Sequence, residues 1–459
     1  MATARDIQIG NAARDLLHLF GQPEHFRLEG IIGSGAHGVT IKVTELQPAR
    51  TPILILPGQN RKRARTLRPT EIAYALRRRL SAMRGAIQKL VRAARNPDVP
   101  GRVRAGSPPN TEMAPRRTIV LKRPIGKRGE ALLRSEFDIL QVNMIFRITG
   151  SMHIVQVLAY RDGPTLTPIA GVLDSINSPV AGPVLAMEYL ENGSFLNFIK
   201  RLQARRGPIP NRVIWSIYFC GIRAVTALAY PTAYSPDEPQ CLEQLRDPDI
   251  PPSLWMHSDL HMGNIMFGLE DPSVREHRFV PTMKMIDFGR CREHPEAIQE
   301  NLYDITEGIY NMICRQIYNP YRSTRSAEYR YEAEPATENV PAIYKTIQTW
   351  AVLLSDEAEI TVHLDTELRT LICRSMATDH NDRPTLRDVL VHVSRAAVSK
   401  TEISFLLNQT QEGDKDIHQF LQETIYNAGP YGPRLPSAQL RPGIDFLGGG
   451  RGGGPSTES

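Results

Sequence analysis

Leu-Trp-Met-His-Ser-Asp-Leu-His-Met-Gly-Asn-Ile-Met-Phe-Gly, residues 254–268, carries more chemistry than any other part of the chain, and Met285-Ile286-Asp287-Phe288-Gly289 answers it downstream. Asp259 is followed five residues later by Asn264, and a second aspartate, Asp287, sits on an Ile-Asp-Phe-Gly turn. The pattern brings oxygen-bearing side chains to the meeting point of two short loops. Transfer of a phosphoryl group needs such side chains: hard oxygens that hold Mg2+ across the phosphates, and a carboxylate beside the attacking hydroxyl. Asp287 and Asn264 suit the metal, and Asp259 suits the hydroxyl.

Working outward, residues 26–32 and 39–43 read as two strands joined by Gly33-Ser34-Gly35-Ala36-His37-Gly38. Glycines between β-runs give a hairpin whose backbone can close over phosphates with no Cβ in the way, although a plain structural turn has the same composition. Residues 118–122 form a further strand ending in Lys122. Leu133, Phe137, Leu140 and Ile145 then turn one face of a helix inward, and Glu136 belongs to this helix. Residues 154–160 and 184–187 read as strands separated by a Pro- and Gly-rich loop. Beyond them the pattern turns helical, over 195–203 and 211–229, with Val213, Ile214, Ile217, Ile222 and Val225 as a buried face. Residues 231–252 read as a loop, and a helix is expected to begin at Asp304 and run through Ile309 and Met312. Residues 322–341 read as a charged, Tyr-rich loop, and 368–376 as a helix.

The 459 residues are long enough for two lobes with their own cores, and 41% apolar with 23% charged residues is an ordinary soluble composition. The first residues lack the apolar core of a signal peptide, and no apolar run is long enough to cross a bilayer, so the expectation is an intracellular protein, cytoplasmic or nuclear. Five widely spaced cysteines without a Cys-x-x-Cys pair suggest neither a disulfide framework nor a zinc site. Charge is unevenly placed. Residues 44–117 hold seventeen Lys or Arg against four acids, a local +13, which leaves the rest of the chain at −7 within a net +6. Whole-protein nucleic-acid binding is therefore not implied. Within this basic segment, Ile72, Leu76, Leu80, Met83, Ile87 and Leu90 predict a helix over 70–95. Two readings of it stay open: a helix with a solvated basic back, or a docking surface for an anionic partner. The tail from about residue 427 is Pro- and Gly-rich and is expected to be disordered.

Taken in order, these motifs resemble those of the eukaryotic protein kinase-like superfamily over residues 26–43 and 118–397. The resemblance implies an α+β, two-lobed fold, a small antiparallel β-sheet lobe with one key helix over a larger α-helical lobe, and MgATP in the cleft. It divides the chain into an N-terminal segment (1–25), a small lobe (26–43 and 118–186) interrupted by the basic insertion (44–117), a large lobe (187–400) and a C-terminal tail (401–459). It implies catalytic roles for Asp259, Lys122, Glu136 and His261, with Lys122 reaching the phosphates and pairing with Glu136. Nucleotide contacts fall on Gly33, Ser34, Gly35, Gly38, Lys122, Met187, Glu188, Leu190, Ser194 and Met266, and Mg2+ ligands on Asn264 and Asp287. The adenine contacts would be backbone groups of Glu188 and Leu190, and Ser194 would meet the ribose.

The chain also departs from the family. His257-Ser258-Asp259 stands where His-Arg-Asp is usual, so the cation that would clamp an activation-loop phosphate is gone. His261 replaces a lysine two residues past Asp259, a pattern similar to kinase-like small-molecule phosphotransferases acting on aminoglycosides or choline. Only residues 290–303 separate the Asp-Phe-Gly glycine from Asp304, which resembles the aspartate anchoring the large lobe. The Ala-Pro-Glu triplet is missing, and its glutamate would normally pair with Arg383. Three readings follow: a kinase acting on Ser or Thr of a protein substrate, a small-molecule phosphotransferase, and a nucleotide-binding pseudokinase or scaffold.

Overall fold

The computed structural model describes residues 8, 10–12, 26–34, 38–48, 113–140, 150–162, 165–168, 182–231, 240–246, 249–271, 274–316, 325–334, 341–355, 359–408 and 410–426. By compactness the chain divides into one unit made of Met1–Glu45 with Arg117–Ser459 and a second, Leu46–Arg116. The helix expected over 70–95, the tail from residue 427 and the tip Gly35, Ala36 and His37 lie outside the described residues.

The first unit is an α+β structure with a small antiparallel sheet. Strands β1 (Phe26–Ser34), β2 (Gly38–Pro48), β3 (Met113–Pro124), β4 (Val157–Asp162), β5 (Thr165–Pro168) and β6 (Val184–Glu188) form one sheet in the order β1-β2-β3-β6-β4-β5. The pairs β1/β2, β3/β6, β4/β6 and β4/β5 are antiparallel. Strand β5 lies in the connection expected to be a loop. Alternation along β3 decides where its lysine points. Ile119 and Leu121 join Val39, Ile41, Val43 and Ala186 in one buried cluster, whereas Val120 belongs to the other, with Leu133, Ile139 and Leu140. Lys122 shares the face of Val120, because side chains two apart on a strand point the same way. That face is covered by α1 (Gly126–Leu140), whose buried residues Gly129, Leu133, Glu136, Ile139 and Leu140 recur at helical spacing.

The helical part is built around α3 (Asn211–Ala229), which follows α2 (Phe195–Ala204) and is buried on nearly every side. It passes the length and apolarity test for a membrane span, but 89% of that window is buried inside the protein, as befits a core helix. Its N-terminus is covered by Glu412, whose carboxylate accepts from the backbone of Asn211 and Arg212. A carboxylate there satisfies orphan donors and meets the positive end of the helix dipole. Residues 410–426 are thus part of the core, with α7 (Asp414–Thr424) setting Phe420 edge-on against Phe198 of α2.

Helix α4 runs over Ala297–Cys314, seven residues earlier than the start expected at Asp304. Short strands β7 (Trp255–Met256), β8 (Ile265–Phe267), β9 (Met283–Met285) and β10 (Arg292–Glu293) come first; then, within the stretch 322–341 expected to be a Tyr-rich loop, β11 (Ala327–Glu334) is a strand that pairs with β12 (Ile343–Thr349) beyond it. Its pattern is period two: Tyr329 and Tyr331 are buried while Arg330 and Glu332 face solvent. Helices α5 (Thr366–Ser375) and α6 (Leu386–Ser399) complete the core, and a reciprocal capping box of Thr385 and Asp388 starts α6.

Close packing of α3 on α4 depends on Gly221. A Cβ placed there would lie 2.6 Å from Ile305 Cγ2, on a β-branched, fully buried side chain with little freedom to yield. Helix propensity alone favours alanine by about 1 kcal/mol, but overpacking of this kind costs about 1–3 kcal/mol. Gly221→Ala is therefore expected to lower stability in urea unfolding, and an unchanged or raised midpoint would show that the α3–α4 contact is looser than described.

Candidate active site

Four short strands deliver the site. Strand β7 (Trp255–Met256) pairs with β10 (Arg292–Glu293), and β8 (Ile265–Phe267) pairs with β9 (Met283–Met285). Asn264 and Ile286 close the β8–β9 ribbon through an Ile286 N–H bond to Asn264 O (3.0 Å), so Asn264 stands beside the turn that carries Asp287. The Asn264 Nδ2 amide donates to Asp259 O (2.9 Å), which ties the loop to itself and leaves the amide oxygen outside that bond. The loop is pinned from below by a residue the sequence reading did not single out. Asn301 of α4 accepts from His257 N (3.0 Å) and donates to Trp255 O (2.8 Å). Asn301 thus ties the loop to α4, three residues before Asp304.

Lys122 is the hub. Its Nζ donates to Glu136 Oε2 at 2.6 Å and to Asp287 Oδ1 at 2.7 Å. Burial works against the ammonium, but the two carboxylates outweigh it and raise the Lys122 pKa. Burial also pushes the fully enclosed Glu136 up, against the pull of Lys122. At Asp287 burial has the same upward sense, but Lys122 prevails and holds the carboxyl below its usual range. Asp287 and Ser258 both adopt left-handed backbone, φ 65° and 60°. Non-glycine residues rarely sit there, and such strain concentrates where a loop must aim a functional side chain.

A cavity of about 270 Å³ brings together Gly33, Gly38, Lys122, Glu136, Asp259 and Asp287. Gly38 is required by its neighbour: a Cβ there would lie 2.8 Å from Arg123 O. Arg290, which also lines the cavity, forms an ion pair with Asp259 at 3.5 Å. It immediately follows the Asp-Phe-Gly turn and was not anticipated. A larger groove, about 1060 Å³, lies between β11 and α5, but it holds none of these residues.

The other expected site residues are distributed as follows. Met187 is buried on β6 opposite Val120. Glu188 accepts from Lys284 Nζ (2.6 Å) and from Gln156 N (2.6 Å), and its own N–H is committed to Gln156 O (3.0 Å). Leu190 is buried. Ser194 caps α2 by accepting from Asn197 N (3.2 Å) and bridges to Met266. His261 is exposed and folds back on its own turn, Nδ1 accepting from Gly263 N (3.0 Å), and does not line the cavity. Of Ser34 the backbone alone is described, and Gly35 lies outside the described residues. Arg383 finds its partner in α4: it lies 3.5 Å from Glu300 Oε1, over the ring of Tyr303, with Nε donating to Ala377 O (2.9 Å).

No protein-family model and no curated protein matches this chain.

His257 gives the site a pH dependence. Its Nε2 bonds Ile286 O (3.0 Å); a carbonyl can only accept, so Nε2 carries the proton. Nδ1 is buried with no hydrogen-bond partner among the described residues. Burial lowers the imidazole to about 4, against a smaller upward pull from the Ile286 carbonyl. The unfolded chain takes up this proton near pH 6.5 while the folded one resists it, so stability is intact above about 6.5 and is lost as pH falls toward 4, by on the order of 3 kcal/mol. Urea unfolding at about pH 7 and about pH 4.5 should show His257→Gln losing less stability than the parent over this interval. Equal losses would contradict the assignment.

Proposed function

We propose that this chain is a protein-kinase-like phosphotransferase that moves the γ-phosphate of ATP onto a hydroxyl, with Ser or Thr of a protein as the acceptor. The observation that carries the reading is the Lys122 ammonium bonded at once to Glu136 and Asp287, in one cavity with Asp259 and the hairpin glycines Gly33 and Gly38. A cation fixed between two carboxylates beneath a glycine-lined wall suits polyphosphate, which needs positive charge and close backbone approach. The donor types fit Mg2+: an ionised, partly exposed Asp287 carboxylate and the amide oxygen of Asn264 are hard ligands carried on adjoining backbone, and these two residues would hold the ion. When bound, Mg2+ neutralises charge on the phosphates.

In this reading Lys122 binds phosphate oxygens and Glu136 keeps the ammonium aimed into the cavity. The acceptor oxygen forms its bond to the γ-phosphorus as the bond to the ADP oxygen breaks, and the hydroxyl proton passes to Asp259. Arg290, now paired with Asp259, must release that carboxylate for the hydroxyl to approach. Because Ser258 carries no cation and residues 288–296 span the whole distance from Asp287 to α4, the site does not depend on a clamped phosphate in that segment. The same shortness favours a second reading, a small-molecule hydroxyl acceptor, since little chain remains there to seat a peptide.

The test is incubation of purified protein with labelled MgATP and a mixed panel of proteins and metabolites. Label should enter one class of acceptor, and Asp287→Ala should lower the rate by about a hundredfold or more. Asp259→Asn should lower turnover while nucleotide affinity is largely kept. Undiminished transfer by Asp287→Ala would end the catalytic reading, and nucleotide binding without transfer to any acceptor would leave a scaffold in its place.

A further inference from the structure

We infer that His153, Cys220 and His277 form a buried zinc site, oriented by Glu243. The three residues come from distant parts of the chain: the segment leading into β4, the middle of α3, and a short 3₁₀ turn at Arg275–His277. One ligand atom from each lies within 4.8 Å of the others. Cys220 Sγ is 3.6 Å from His277 Nδ1. Zinc held about 2.3 Å from sulfur and about 2.0 Å from nitrogen in a tetrahedron sets the S···N edge at about 3.6 Å, so this edge needs no adjustment.

Glu243 supplies the outer partner such sites require. Its Oε2 lies 2.7 Å from His153 Nδ1 and its Oε1 accepts from His153 N at 2.8 Å. A carboxylate acceptor puts the proton on Nδ1 and leaves Nε2 as the coordinating nitrogen, the usual carboxylate–histidine–zinc relay. His153 Nε2 is in fact buried with no hydrogen-bond partner among the described residues. Thiolate with two imidazoles is a donor set that selects zinc over Mg2+ or Ca2+.

A Cys–His–Glu row could also serve a nucleophilic thiol, but here Cys220 is 2% exposed, His277 1%, and His153 and Glu243 not at all. No substrate reaches the sulfur. Among the described residues the cluster offers three ligands. The site stands apart from the Lys122 cavity but is tied to it: Met285 N donates to His153 O (2.9 Å) and Val155 N to Met285 O (3.1 Å), two residues before Asp287.

The test is metal analysis of the untagged full chain, expressed with zinc supplied and passed through gel filtration. About one zinc per chain is expected. Exchange for Co2+ should give a thiolate-to-cobalt charge-transfer band that Cys220→Ser abolishes. Glu243→Gln, whose fold can be checked by circular dichroism, should weaken metal affinity by about tenfold to a hundredfold. Substoichiometric zinc together with no charge-transfer band in the parent protein overturns the proposal, whether or not Cys220→Ser folds. So does unchanged affinity in a folded Glu243→Gln.

Discussion

The position of one ammonium constrains the rest. Lys122 Nζ, on the α1-facing side of β3, is bonded to a glutamate from the helix and an aspartate from a turn 165 residues further along the chain. Three elements that share no local sequence are thereby brought to one point. Glu136 is fully buried, and breaking such a pair from one side costs about 3–5 kcal/mol because the remaining charge is left without compensation, whereas the partly exposed Asp287 side is screened by solvent and counts for less. Sheet, helix and Asp287 turn are thus held in one arrangement. Asp287 itself sits in left-handed backbone, φ 65°, directly after the β8–β9 ribbon.

Much of this was legible because the signals are periodic or local. The β-run over residues 118–122 places Lys122 at a strand end, the helical spacing of Leu133, Phe137 and Leu140 places Glu136 on a helix, the resemblance pairs the two, and α2 and α3 begin where the pattern turns helical. Asp259, Asn264 and Asp287 stood out through their residue types, the Asp259–Asn264 spacing and the resemblance to catalytic motifs. Hidden features were those whose meaning depends on tertiary contact. Asn301 looks like any helical asparagine until Trp255 and His257 are seen above it. Arg290 and Glu300 are charged residues among many until Asp259 and Arg383 come near.

The hairpin β11–β12 was missed for another reason. The inward Tyr329 and Tyr331 alternate correctly, but charged residues between them and a long break before β12 masked the period. The cluster of His153, Cys220 and His277 was invisible in principle, since motif spacing describes metal sites built on one loop, and this one spans three separate segments. His261 gives the opposite lesson. The resemblance gives it a catalytic role, but the bond from Gly263 N to its Nδ1 is a tertiary detail that the sequence does not display.

The most direct measurement is calorimetric titration of MgATP into the full chain and into Glu136→Gln. If Lys122 is the phosphate-binding cation held by Glu136, the parent protein binds ATP in a manner that requires divalent metal, and Glu136→Gln binds it more weakly while remaining folded. No heat of binding to the folded parent protein, with or without Mg2+, would contradict the account.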